Sequence, residues 1–150
     1  MKKQLSEKAL RIIKKMQQNE LTESVIYEKI SRFAKGDENK KTLLRLATEE
    51  RAHYEIWKKY TELDMKPQKL KIFKYTLIAR VLGFTFAVKL MENGEEGAQK
   101  EYAILAEEIE ESVKIRQEEE EHEANHEHRK YAEKVCKYWP RNKAEECKHQ

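Results

Sequence analysis

Several glutamates and histidines in this chain occupy positions where an amphipathic helix would place apolar residues. On the first candidate helix the inward row reads Ile13, Met16, Glu20, Tyr27, Ile30, which sets Glu20 on an apolar stripe. On the second the row reads Leu43, Leu46, Ala47, Glu50, His53, Tyr54, Trp57. Within it, Glu50-Arg51-Ala52-His53 is an E-x-x-H set, and residues three apart on a helix share a face. Burying an unpaired carboxylate is costly, so two of them on converging stripes call for a cation between them.

The second half of the chain repeats this arrangement. Glu95 precedes Tyr102 by the same seven residues that separate Glu20 from Tyr27, and Glu92 adds a carboxylate to that face. Glu119-Glu120-Glu121-His122 is a second E-x-x-H. One Glu plus one E-x-x-H, occurring twice, is the ligand set with which helix bundles hold two divalent metals. Carboxylates bridge hard cations and offset their charge, while neutral imidazoles complete each shell and suit iron; manganese and zinc accept similar donors. A single E-x-x-H arises by chance in a chain with 28 acidic residues, and the run Glu118 to Glu121 is mostly a solvated face. The matched pair carries the argument.

The elements that must position these residues follow from composition. A chain of 150 residues is one domain in length. Its charged fraction is 39%, against about 25% in ordinary soluble domains. Four Gly and two Pro are too few for a sandwich or barrel, which turns every ten residues or so. The spacing predicts helices over Ser6 to Lys35, Asp37 to Leu63, Pro67 to Ala106 and Glu111 to Tyr138, with Asp37 capping the second. The third is expected to continue through Asn93-Gly94, because Val88, Glu95, Tyr102 and Leu105 keep one face. An all-α antiparallel four-helix bundle over residues 1–140 is therefore expected, with a polar, frayed tail over 141–150.

A net charge of +3 is too weak to argue for nucleic acid. Lys74, Arg80 and Lys89 interrupt the most apolar stretch, so no membrane insertion is expected. The start lacks a secretory apolar run, which points to the cytoplasm. Cys136 and Cys147, spaced C-x10-C, form neither a disulfide framework nor a metal knuckle. The third helix is apolar on more than one face around Leu82, Phe84, Phe86, Val88 and Leu90. Of its apolar residues Leu77, Ile78 and Phe84 are left over for another surface, which predicts a twofold homodimer packed through that helix.

The chain resembles the rubrerythrin-like branch of the ferritin-like superfamily. It is most similar to the ferritin-like domain that precedes a vacuolar-iron-transporter-type membrane domain in some proteins. The resemblance covers residues 10–125 and rests on a few segments. These are Asn19-Glu20 with Tyr27, Ala47-Thr48-Glu49-Glu50-Arg51-Ala52-His53 with Ile56-Trp57, and Leu82-Gly83-Phe84-Thr85-Phe86. They continue with Leu90 to Gln99 and Tyr102, then Ile115 with Glu118 to Glu123. It implies a ferritin-like bundle holding two iron ions on Glu20, Glu50, His53, Glu95, Glu119 and His122. Glu92 would be an extra carboxylate, with Tyr27 and Tyr102 standing behind the ligands. The implied activity is oxidation–reduction on O2 or peroxide, or oxidation of Fe2+, with an electron donor the sequence does not name. The alternative is an iron-binding module without turnover that hands metal to a transporter or regulates one. Two departures matter. The two C-x2-C pairs of a rubrerythrin electron relay have no counterpart in Cys136 and Cys147, and no membrane half is seen, so transport by this chain alone is not expected.

Overall fold

Ser6 starts the first helix by chemistry visible in the sequence: its hydroxyl accepts from the Ala9 amide at 3.1 Å, capping α1 (Glu7–Ser31). The computed structural model describes residues 5–93, 98–122 and 124, with the backbone alone for 92, 93, 98–100 and 103. All regular structure among the described residues is α-helical. The remainder of the expected fourth helix, the 141–150 tail, Cys136 and Cys147 lie outside the described residues, as does the Asn93-Gly94 joint beyond Asn93.

α1 is buried around most of its circumference and packs on α2 (Asp37–Thr61), α3 (Lys69–Leu82) and α5 (Ala98–Ala106). Its turn into α2 passes through Gly36 at φ +84°, a left-handed conformation open to Gly. Gly36, not Asp37, is the N-cap. Asp37 and Glu38 fall instead in the first turn, where negative charge complements the helix dipole. Glu62 closes α2 in the left-handed region at φ 57°.

The expected long third helix is interrupted, at a place the sequence reading did not mark. Gly83 adopts φ +92°, ψ 153°, a region accessible essentially to Gly, and separates α3 from α4 (Phe84–Asn93). The apolar core joins Ile26, Tyr27 and Ile30 of α1, Leu43 and Leu46 of α2, Ile72, Tyr75 and Ala79 of α3, and Ala87, Val88 and Met91 of α4. Of the three residues expected on a second surface, Ile78 and Phe84 pack against the core and Leu77 is exposed. Of the other apolar residues of that segment, Val88 is buried, Leu90 packs against the core, and Leu82 and Phe86 are exposed.

By internal contacts the chain divides into two compact units, Met1–Val113 and Lys114–Gln150. The helix α6 (residues 111–122) begins just before that division, and the described part of the second unit is residues 114–122 and 124. Within it, Lys114–Glu118 and Arg116–Glu120 form i,i+4 pairs on the helix surface.

Polar contacts fix the ends of the first unit's helices. The wholly buried Gln17 donates to the Leu63 carbonyl at 2.8 Å and accepts from the Thr61 hydroxyl at 2.7 Å, holding the chain as it leaves α2. Thr22 accepts from the Gln68 amide at 3.0 Å, where α3 begins. At the same end of α2, Tyr60 donates to Glu111 at 2.7 Å. Lys71 of α3 pairs with the buried Glu23 at 2.8 Å.

Replacing Gln17 with Leu leaves the Leu63 carbonyl and Thr61 hydroxyl without their buried partner, so a loss of about 1–3 kcal/mol is expected. Urea unfolding of the metal-free protein measures it, and an unchanged midpoint would refute this account of the loop. Burial and then the hydrogen bond to Glu111 raise the Tyr60 phenol from 10.0 to about 12. The stabilisation from this shift is complete below the unfolded value of 10.0 and disappears as pH rises through about 12. Ultraviolet difference titration of wild type against Tyr60→Phe should therefore give a midpoint near 12, moved toward 10.0 by Glu111→Gln.

Candidate metal centre

The α1–α2 pair places three sequence-predicted ligands together. Glu20 comes from the middle of α1; Glu50 and His53 share one face of α2. The three residues are 5%, 2% and 2% exposed, so their polar groups lie in the interior of the helix pair. One ligand atom from each lies within 4.8 Å of the other two. His53 Nδ1 stands 3.6 Å from Glu50 Oε2 and 3.8 Å from Glu20 Oε2.

Those separations bear on what the group can hold. Around an ion with bonds of about 2.1 Å, neighbouring ligand atoms sit about 3.0 Å apart in octahedral and about 3.4 Å apart in tetrahedral geometry. The two spacings from His53 lie a few tenths of an ångström above the tetrahedral value and further above the octahedral one, so the three atoms would have to draw together to share one ion. Two carboxylates and an imidazole form a donor set for a divalent transition metal. The residues fit the group.

A second pair of groups orients Glu20. Its Oε1 accepts from the Trp57 indole N–H at 3.2 Å and from the Tyr102 hydroxyl at 3.3 Å. Oε2 is thereby left on the side of His53. The Trp57 and Tyr102 rings lie 6.3 Å apart at 38°, both buried, and shield this carboxylate from water. Burial pushes the Glu20 carboxyl up. The neighbouring His53 and Glu50, with the Trp57 indole, outweigh that and hold it below the ordinary carboxylate range. Glu20 is therefore ionised at neutral pH, the form a ligand needs.

Tyr102 touches Glu20 as stated. Tyr27 is buried in the apolar core, two helical turns along α1. Glu119 and His122 share one face of α6, with Glu119 Oε2 3.9 Å from His122 Nδ1, so the second E-x-x-H has the i,i+3 geometry of the first. The side chain of Glu92 and the whole of Glu95 lie outside the described residues.

Trp57 was counted above with the apolar stripe, and its polar role was missed. The signal was present: Trp57 stands four residues after His53 and seven after Glu50, and a buried indole N–H seeks an acceptor.

Comparison with protein families, characterised proteins and solved structures gives no match. The reading of this centre therefore rests on its own residues.

The combined change Glu50→Ala and His53→Ala should abolish stoichiometric binding of at least one divalent metal per chain. Trp57→Phe should retain the ion but weaken it by about 10–100-fold, as loss of a group orienting a ligand does. Elemental analysis and calorimetric titration with Mn2+ measure both. Unchanged metal content in the double variant contradicts the assignment.

Proposed function

We propose that this chain is a di-iron carboxylate protein of rubrerythrin-like type, a ferritin-like antiparallel four-helix bundle acting on O2 or peroxide or oxidising Fe2+. The observation that carries the reading is the buried Glu20, Glu50 and His53 cluster on paired helices. Glu20, Glu50 and His53 would hold metal there. The doubled Glu plus E-x-x-H pattern supports a second ion, with Glu95, Glu119 and His122 completing the ligand set and Glu92 as a further carboxylate. Iron supplies one-electron chemistry toward oxygen species, which no side chain offers by itself.

The chain's own residues bind, orient and exclude water. The Trp57 and Tyr102 donors fix Glu20 Oε1, which would leave Oε2 to hold metal. Tyr102 holds its phenolic proton against that same oxygen, beside the binding site and out of bulk water.

A second reading is an iron-binding module without turnover, since Cys136 and Cys147 do not by themselves supply the two C-x2-C pairs of a rubrerythrin relay.

Mixing the ferrous protein with peroxide or O2 in a stopped-flow instrument separates the two readings. An enzyme gives repeated cycles under steady reductant, whereas a binding module gives at most one optical transition. Iron-loaded protein should contain two ions, and Glu119→Ala with His122→Ala should remove one of them. Bound iron should also raise the melting temperature by mass action, by an amount that grows with free metal. Equal melting temperatures with and without iron would count against both readings.

A further inference from the structure

α3 has two apolar faces, of which the fold uses one. Ile72, Tyr75 and Ala79 are buried in the core. Leu70, Phe73, Leu77 and Val81 recur at spacings of three and four and are 85%, 67%, 48% and 71% exposed. At about 100° per residue these four fall in a sector about 80° wide, opposite the buried face. The exposed Lys69 and Arg80 border one edge of this ridge, and the exposed Lys74 borders the other.

The surrounding charge has one sign. Between Met65 and Met91 there is no Asp or Glu, in a chain with 28 acidic residues elsewhere, while Lys66, Lys69, Lys71, Lys74, Arg80 and Lys89 all fall inside. A second copy seated on this ridge would set cationic edges against cationic edges in either orientation, which disfavours it. A bilayer conforms to such a ridge and offers phosphates to both edges at once. Lys and Arg stems can lie along the apolar row with their charged heads among the headgroups.

We propose that the ridge of α3 docks this protein on the surface of an anionic phospholipid bilayer, lying in the interface without crossing it. No helix among the described residues is long and apolar enough to cross a membrane, which agrees with docking in the plane. Leu70, Phe73, Leu77 and Val81 enter between the headgroups. Lys69, Lys74 and Arg80 set the preference for negative lipid.

The test is sedimentation of the full chain with extruded vesicles, either pure phosphatidylcholine or an equimolar mixture with phosphatidylglycerol. Binding is expected to the mixed vesicles alone and to weaken with added salt. Lys69→Gln with Lys74→Gln should lower the partition coefficient about 25-fold. Phe73→Glu with Leu77→Glu should lower it at least about tenfold. Should either pair disturb folding, Leu77→Trp gives an independent readout: its emission shifts to the blue on mixed vesicles when the ridge enters the interface. Wild-type protein left in the supernatant with mixed vesicles would overturn the proposal. So would binding without an emission shift, which is adsorption by charge alone. A dimer by sedimentation equilibrium that Phe73→Glu dissociates would assign the ridge to a second copy. Tight binding of an acidic amphipathic helical peptide in preference to mixed vesicles would assign it to a protein partner.

Discussion

Two carboxylates buried side by side on facing helices set the terms for the first unit. Glu20 and Glu50 approach the same imidazole from α1 and α2, where a charge without partners is strongly disfavoured. The sequence answers that cost with dedicated groups. His53 stands between the carboxylates, and Glu20 receives both an indole and a phenol. Trp57 and Tyr102 lend bulk as well as donors, so the same two side chains satisfy the oxygen and remove water from it. This requires α1 to be enclosed by several partners, which is what its burial pattern shows. A helix lying on a surface could not hold Glu20 in that state.

α1 is divided along its length. Its middle buries polar groups: Gln17 holds the α2–α3 connection, Glu20 joins the cluster, and Thr22 and Glu23 anchor α3. On one side Ala9, Ile12, Ile13 and Met16 are buried, and on the other Ile26 through Ile30 belong to the large apolar cluster with α2, α3 and α4. Hydrophobic burial is the main favourable term in folding, so the apolar ends can hold the helices in register without help from the polar middle. The polar middle is then free to carry an arrangement that is poor for stability and useful for binding. Positions that break the local rule of apolar-inside are expected at functional sites for this reason.

Glu20, Glu50 and His53 were legible because helical period alone decides that they face inward, and charge inside demands an explanation. Tyr102 was legible through its place in the repeat. Trp57 was not, because its size placed it with the apolar residues although it carries a donor. The break at Gly83 escaped for a related reason. One Gly costs a helix only about 1 kcal/mol, and the apolar residues on both sides of it suggest continuity. The positive φ that ends α3 is a tertiary outcome. Lys71 shows the same limit: nothing local distinguishes it from Lys74, yet it faces Glu23 while Lys74 lies at the surface over the Tyr75 ring. The all-helical class followed from the scarcity of Gly and Pro. Which residues of the third segment face the core required the break to be known.

The same acid-free stretch serves opposite ends on α3. Lys71 turns inward and offsets the buried Glu23, tying α3 to the polar middle of α1. Lys69, Lys74 and Arg80 remain outside with four large apolar side chains between them. Folding does not need that ridge, since Ile72, Tyr75 and Ala79 already supply the buried face. An exposed apolar row brings a standing risk of aggregation, and like charges along both edges oppose contact between copies. A sequence under no other demand would place Glu and Lys along the outer face, as the outer face of α2 does with Arg45–Glu49 and Arg51–Glu55. The ridge departs from that pattern at four positions in register, and its borders carry a single sign of charge. Chance exposure would scatter such residues; alignment on one face, opposite the core, is what a surface used for contact requires.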